Sequence, residues 1–242
     1  MYIQYTQRLT SYTTANEDFS SDPSQVRGGP TPTLQKAQSI STILSLILSP
    51  FAIILVSLWV HELGGVSWSD GKSKTNFNWH PVMMISAYSL MNVGSLIFRV
   101  TNTSSYQASI QPAGSTTVVT SPNPKKRGYA KATHAGIWSS SFVLGIIGII
   151  AVFKSHNDEL SGYIANLYSL HSWVGVFVLA LYTIQFLYGL VVYGFGIGRN
   201  GRLGSSTMMT LHKYSGAWIN LLVMTTILLG IQENPSLYCI IL

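Results

Sequence analysis

The segment "NLYSLHSWVGVFVLALYTIQFLYGLVVYG", residues 166–194, decides the fold. It contains no Asp, Glu, Lys or Arg, and after His171 its residues are apolar, aromatic or small apart from Thr183 and Gln185. A membrane-spanning helix needs roughly 20 such residues, whereas a buried strand is usually about 4–8 residues long. The segment therefore predicts a transmembrane helix over residues 168–194.

The rest of the chain repeats this pattern. Only 9% of its 242 residues are charged, against about 25% in soluble domains, and 47% are hydrophobic. Residues 1–37 are polar and are expected to form a disordered tail, and residues 234–242 a short C-terminal tail. Between them, residues 38–233 predict an all-α membrane domain, a four-helix bundle flanked by one N-terminal helix. The other predicted spans are 38–60, 80–99, 134–153 and 208–231.

Charge predicts how the chain lies in the bilayer. With five spans, the N-terminus and two loops share one side, which holds most of the 14 basic residues. The positive-inside rule makes that side cytoplasmic. Because these cations flank membrane spans, topology explains the net charge of +6 better than nucleic-acid binding does. The basic residues on that side are Arg8, Arg27, Lys36, Arg99, Lys125, Lys126, Arg127, Lys131, Arg199, Arg202 and Lys213.

Four of the six histidines stand where predicted helices begin. Successive spans run in opposite directions, so their starting ends alternate between the two leaflets. His80 and His171 are therefore expected in the non-cytoplasmic leaflet, and His134 and His212 in the cytoplasmic one. The topology predicts two histidine pairs, one near each face of the membrane.

Imidazole binds iron, zinc, copper and nickel. A structural zinc site would need four ligands at one point, and these pairs lie on opposite sides with no Cys or acid nearby. Two axial histidines complete a six-coordinate haem, whose lack of an open position favours electron transfer. Interhelical hydrogen bonding is the alternative that needs no metal. The chain has no CxxCH attachment motif, so any haem would be non-covalent.

Several motifs resemble the cytochrome b561 family, and together they cover about residues 55–233. The histidine-containing block at 166–176 is the most specific of them. The motifs are "NFNWHPVMM" (76–84), "LIFRV" (96–100), "KATHAG" (131–136), "AVFKSHN" (151–157), "NLYSLHSWVGV" (166–176) and "LLGIQE" (228–233).

The resemblance implies a transmembrane oxidoreductase with two b-type haems, ligated by His80 with His171 and by His134 with His212. Such proteins take electrons from cytosolic ascorbate and reduce monodehydroascorbate or a ferric chelate on the other side. The expected location is a plasma membrane, a lysosome or vacuole, or an endomembrane vesicle, with a cytoplasmic N-terminus. The family usually has a sixth helix, and no sixth span is predicted in this sequence. Assembly as a homodimer is left as an open alternative.

The resemblance also implies substrate-binding residues. Arg99, Arg127, Lys131 and Arg202 are expected to bind the ascorbate anion near the cytosolic haem. On the outer side, His156 and Asn166 are expected to contact the acceptor. Two other functions stay open at this point, a quinol-oxidising di-haem subunit and a non-redox transporter or scaffold with intramembrane histidines.

Overall fold

A computed structural model describes residues 32–103 and 124–233. The chain divides after Ser39 into two units. Within the first unit the described residues, 32–39, form the start of a helix. The second unit carries everything else described below. The expected tails at residues 1–31 and 234–242 lie outside the described residues.

The described part of the chain is helical and contains no strand. Five of its helices are long and apolar enough to cross a membrane, and only the short α2 is not. The structure thus confirms the predicted helical membrane bundle. The helices are α1 (Pro32–Glu62), α2 (Ser73–Phe77), α3 (Trp79–Thr103), α4 (Pro124–His156), α5 (Leu170–Tyr188) and α6 (Ser206–Gln232).

Two helices begin earlier than hydropathy predicts. α1 begins at Pro32 rather than at residue 38, and α4 begins at Pro124 rather than at residue 134. Both extensions are too polar to resemble a membrane span, but they are rich in Ala, Lys, Gln and Arg, which are good helix formers. Proline is well tolerated in the first turn, where its missing N–H has no intrahelical partner.

The predicted span 168–194 is not uniform. Regular α5 ends at Tyr188, and the chain continues as a single π-helical segment, Gly189–Gly194. It then turns away through Gly196 and Gly198, both of which have positive φ angles. Such wider turns often occur beside functional sites, and this one lies against His212.

The core lies between α3, α4, α5 and α6. Met91, Tyr182 and Ile219 are buried, and five partly buried residues pack against them. Polar side chains there hydrogen-bond between helices, as a medium without water requires. The packed residues are Trp138, Phe142, Leu181, Phe186 and Val223.

The helices alternate in direction, so the bundle has two ends. α3 and α5 begin at one end, where His80 and His171 are in ring contact, and we call it the His80 end. α4 and α6 carry His134 and His212 near the opposite end, which we call the His134 end. The bundle helix α3 also contacts α1, because the Ser89 hydroxyl donates a hydrogen bond of 3.3 Å to the Ser49 carbonyl.

Candidate functional site

The histidine pair at the His80 end comes from two neighbouring helix starts. The ring centroids of His80 and His171 are 6.0 Å apart, and the ring planes are 85° to each other. Two imidazoles that share one metal ion through bonds of about 2.0–2.1 Å would have centroids roughly 6 Å apart. The spacing of this pair therefore fits two imidazoles that would hold one metal ion between them.

In three of the four histidines, the Nδ1 atom lies against a main-chain carbonyl oxygen. The Nδ1 atom of His80 lies 3.1 Å from the Gly148 carbonyl oxygen, and that of His171 lies 2.8 Å from the Thr226 carbonyl oxygen. His134 Nδ1 is 3.0 Å from the carbonyl oxygen of Gly94. A carbonyl only accepts, so each Nδ1 carries the proton and each Nε2 keeps a free lone pair. Metal-binding histidines are oriented by this kind of bond.

The pair at the His134 end is formed by α4 and α6. His134 lies on α4 and His212 on α6, both near this end. The His134 ring contacts Phe98 and Trp138, at centroid distances of 5.1 and 5.8 Å. The His212 ring contacts Tyr193 and Tyr188, at 5.5 and 6.0 Å.

Two glycines make room for the imidazoles. A Cβ atom on Gly230 would stand 2.8 Å from Cε1 of His171, closer than real Cβ contacts allow. One on Gly189 would stand 3.1 Å from Cε1 of His212. Sequence reasoning missed both glycines, because neither is one turn from the histidine it serves and the contact depends on tertiary packing.

The residues present suit a haem with two axial histidines. Each end supplies two imidazole nitrogens, and the described residues contain no cluster of three or more His, Cys, Asp or Glu that would favour zinc. The Nε1 atom of Trp138 and the Oδ1 atom of Asn220 are buried without a hydrogen-bond partner. Such orphaned polar atoms in a bundle interior indicate that a further group belongs there.

The residues expected to bind ascorbate lie at the His134 end. Lys131 is exposed on α4, one turn before His134, and Arg202 is exposed in a 3₁₀ turn just before α6. Arg99 and Arg127 fall within α3 and α4, and their side chains lie outside the described residues. The structure thus brings Lys131 and Arg202 to the same end as the His134–His212 pair.

The expected acceptor residues lie at the His80 end. His156 is the last residue of α4 and is buried, whereas the predicted span ended at residue 153. Its Nδ1 atom is 3.1 Å from Oδ1 of Asn166, so the two predicted residues are in direct contact. The ring of Phe77 lies between His156 and His80, with centroid distances of 6.4 and 5.6 Å. Leu167, beside Asn166, has a φ of 55°, which is a strained backbone conformation.

Comparison with known proteins identifies the family of the chain. Residues 117–236 match the family model described as eukaryotic cytochrome b561. Over 201 residues the chain is 32% identical to the lysosomal membrane ascorbate-dependent ferrireductase CYB561A3 of Danio rerio, covering 81% of this chain and 69% of the relative. It is 30% identical over 201 residues to the plasma membrane ascorbate-dependent reductase CYBRD1 of Xenopus tropicalis, covering 82% of this chain and 62% of the relative.

A plant relative is similar to a comparable degree. The transmembrane ascorbate ferrireductase 1 of Arabidopsis thaliana is 29% identical over 194 residues, which cover 80% of this chain and 70% of the relative. The chain spans only 62% and 59% of the lengths of the two Xenopus CYBRD1 proteins. From these matches and the helical bundle, the chain belongs to the cytochrome b561 family, which implies a haem b cofactor.

Proposed function

We propose that the chain is a transmembrane ascorbate-dependent oxidoreductase with two haem b groups. His80 and His171 would hold one haem, and His134 and His212 the other. The observation that carries the proposal is the placement of one histidine pair at each end, with three rings fixed to leave Nε2 free. When bound by two imidazoles at each end, haem would supply one-electron transfer.

Aromatic residues line the route between the two pairs. A series of aromatic contacts begins at His134 and runs through Trp138, Tyr182 and Phe142, with centroid distances of 5.8, 5.5 and 5.6 Å. An unpaired ion is costly in such an interior. Electrons would therefore cross without a compensating ion path, and transfer would separate charge across the membrane.

The His134 end would be cytosolic and would receive electrons from ascorbate. Ascorbate is an anion at neutral pH, and cationic side chains bind anions through charge-assisted hydrogen bonds. Lys131 and Arg202 are exposed at this end, and we assign Arg99 and Arg127 to the same site. The positive-inside rule gives the same orientation and a cytoplasmic N-terminus.

The His80 end would deliver electrons to monodehydroascorbate or a ferric chelate. Asn166 accepts a hydrogen bond from Nδ1 of His156 in one tautomer, which leaves His156 Nε2 free to contact an acceptor. Two relatives are named ferrireductases, one of them lysosomal, and another is named a plasma membrane reductase. A plasma membrane or an endomembrane such as the lysosome is the proposed location.

The test uses purified chain in sealed vesicles that contain ferricyanide or a ferric chelate, with ascorbate added outside. Vesicles with the His134 end outward should reduce the trapped acceptor, and an ionophore should relieve the slowing caused by accumulated charge. Pyridine haemochrome analysis should give two haems per chain. Reduction by quinol but not by ascorbate would favour a quinol-oxidising subunit. A folded chain without haem would favour the non-redox transporter or scaffold.

A further inference from the structure

His212 differs from the other three histidines in the hydrogen-bond partner of its Nδ1 atom. His80, His134 and His171 each meet a main-chain carbonyl at Nδ1, but His212 meets the side-chain amide of Gln185, with 2.9 Å between Nδ1 and the Gln185 Nε2 atom. The same Nε2 atom donates to the His212 carbonyl at 2.6 Å. The amide of one α5 residue therefore contacts both the ring and the main chain of His212.

The difference matters because a carbonyl only accepts a hydrogen bond, whereas an amide has a donor end and an acceptor end. When the Nε2 atom of Gln185 faces the ring, it donates to Nδ1 of His212. The proton of the neutral imidazole then lies on the Nε2 atom of His212. That is the nitrogen left free in the other three histidines. With the amide turned over, Oε1 of Gln185 accepts the Nδ1 proton, and the ring Nε2 becomes available to a metal.

The contacts of Gln185 act unequally on the two orientations. With the amide turned over, Oε1 would face the His212 carbonyl oxygen to which Nε2 now donates, so the ring and the main chain of His212 compete for the donor end of the amide. Its Oε1 atom accepts from the Ser215 hydroxyl at 2.9 Å, and that hydroxyl also reaches the Leu211 carbonyl at 2.7 Å. A hydroxyl both donates and accepts, so Ser215 can partner either end of the amide. A shallow, mainly apolar pocket, whose lining includes Gln185, His212 and Ser215, lies beside the amide.

Other contacts hold the ring against Gln185. Gly189 follows Gln185 by one helical turn, and a side chain there would press on Cε1 of His212 at 3.1 Å. The π-helical segment Gly189–Gly194 brings Tyr193 onto the other part of the ring, at a centroid distance of 5.5 Å. The imidazole is thus confined, and the amide is its adjustable partner.

We propose that Gln185 is the positioning residue of His212, and that the orientation of its amide sets whether and how strongly His212 ligates haem. The three other ligands are oriented by main-chain carbonyls, so the haem at the His134 end would alone depend on a side chain for the orientation of its ligand. This inference rests on the proposed function, because it takes His212 as a haem ligand.

The first variant is Gln185→Glu, which nearly preserves the shape of the side chain. A carboxylate only accepts, so it would hold the proton on Nδ1, and carboxylate partners raise the basicity of a ligating histidine. A more basic ligand favours oxidised iron. In a redox titration of the purified holoprotein, one of the two haem components should become about tenfold harder to reduce, a shift of roughly 59 mV to lower potential for one electron. The other component should not move.

The second variant is Gln185→Leu, which removes the partner of Nδ1. Loss of an outer-shell partner typically costs about 10–100-fold in metal affinity. We expect one haem to be lost on dilution or competition while the other is retained. Thr183→Val is the matched control, because Thr183 lies on α5 and bonds only the Leu179 carbonyl of its own helix. It should leave both potentials unchanged.

The component that moves should be the one missing from His212→Ala protein, and its ferric electron paramagnetic resonance signal should change with it. Unchanged potentials and signals in Gln185→Glu would overturn the inference, as would equal shifts of both components. If Gln185→Leu does not accumulate, Gln185→Glu still decides. Unmodified protein that lacks two haems would instead count against the proposed function, so the two failures are distinguishable.

Discussion

The two ends of the bundle hold histidine pairs of the same composition in different surroundings. At the His80 end, the connections fold onto the helices and their polar groups are satisfied internally. Ser73 and Ser155 each donate a hydroxyl proton to the other's carbonyl, at 2.8 and 2.9 Å, and Asn76 is fully buried and bonded to Ser69. At the His134 end, Lys131, Arg199 and Arg202 are exposed.

This difference suits two different tasks. A closed end whose backbone groups are hydrogen-bonded holds its histidine pair and His156 in fixed positions, which favours contact with a defined acceptor. An end with exposed cations attracts a mobile anion and raises its local concentration. The same contrast extends to the ligands, since His171 is held by a main-chain carbonyl and His212 by a side chain.

The largest expected effect comes from removing one ligand at a time. His171→Ala should abolish the haem component at the His80 end and keep the other, and His212→Ala should do the reverse. The reason is that each pair lies near its own membrane face and shares no ligand with the other. Haem content and the two potentials of purified protein are the measurements. Loss of both components in either variant, with folding intact, would mean that the ends are not independent.

The sequence predicted the five spanning helices, α1 and α3–α6, well. A bilayer requires long apolar segments, and such segments are easily recognised in a sequence. The sequence also leads to the expectation of which histidines share an end, because successive spans run in opposite directions. It did not predict the start of α4 at Pro124, whose first turns are polar. It also missed Gln185, because an amide within an apolar run shows its partner only when α5 and α6 are packed together.

The next effect concerns the exposed cations of the His134 end. Lys131→Ala should weaken reduction by ascorbate while both haems stay bound. Losing one charge-assisted hydrogen bond costs about 1.5–3 kcal/mol, or roughly ten- to a hundred-fold in apparent affinity. The rate of haem reduction at several ascorbate concentrations gives the affinity.

Lys72→Ala is the matched control for Lys131→Ala. Lys72 is also an exposed lysine, but it lies at the His80 end. The control should leave ascorbate affinity unchanged. Equal behaviour of the two variants would assign Lys131 to membrane topology alone.

A smaller effect concerns the packing of the His171 ring. A Cβ atom at residue 230 would meet the ring at 2.8–2.9 Å. Gly230→Ala should therefore displace the ring, lower stability by about 1–3 kcal/mol and shift only the haem component of the His80 end. Chemical denaturation and the redox titration measure the two effects.

Gly145→Ala on α4 provides the control for overpacking, because a Cβ there would meet nothing within 4 Å. Alanine in place of a helical glycine favours the helix by roughly 0.5–1 kcal/mol. The two substitutions should thus change stability in opposite directions. A neutral Gly230→Ala would show that the His171 ring has room to move.

The smallest effect concerns the closed connections of the His80 end. Burial tends to raise the pKa of the Asp158 carboxyl, but hydrogen bonds from Gly71, Ser161 and Leu160 outweigh it and hold that pKa below its ordinary value. A carboxyl group whose pKa is lowered by folding stabilises the folded state at pH values above its pKa in the unfolded chain. That stabilisation is lost as the pH falls through its pKa in the folded state. The stabilisation should be complete at neutral pH and disappear in acid below about pH 3.8. Asp158→Asn should remove this acid dependence, followed as protection of the Gly71 amide from hydrogen exchange.

Asp70→Asn is the control, because the Asp70 side chain is 78% exposed and its salt bridge to Lys154 is a surface pair, a kind usually worth about 0–1 kcal/mol. It should leave the protection of Gly71 and its pH dependence as they are, and an equal loss in both variants would show that Asp158 does not fix this connection.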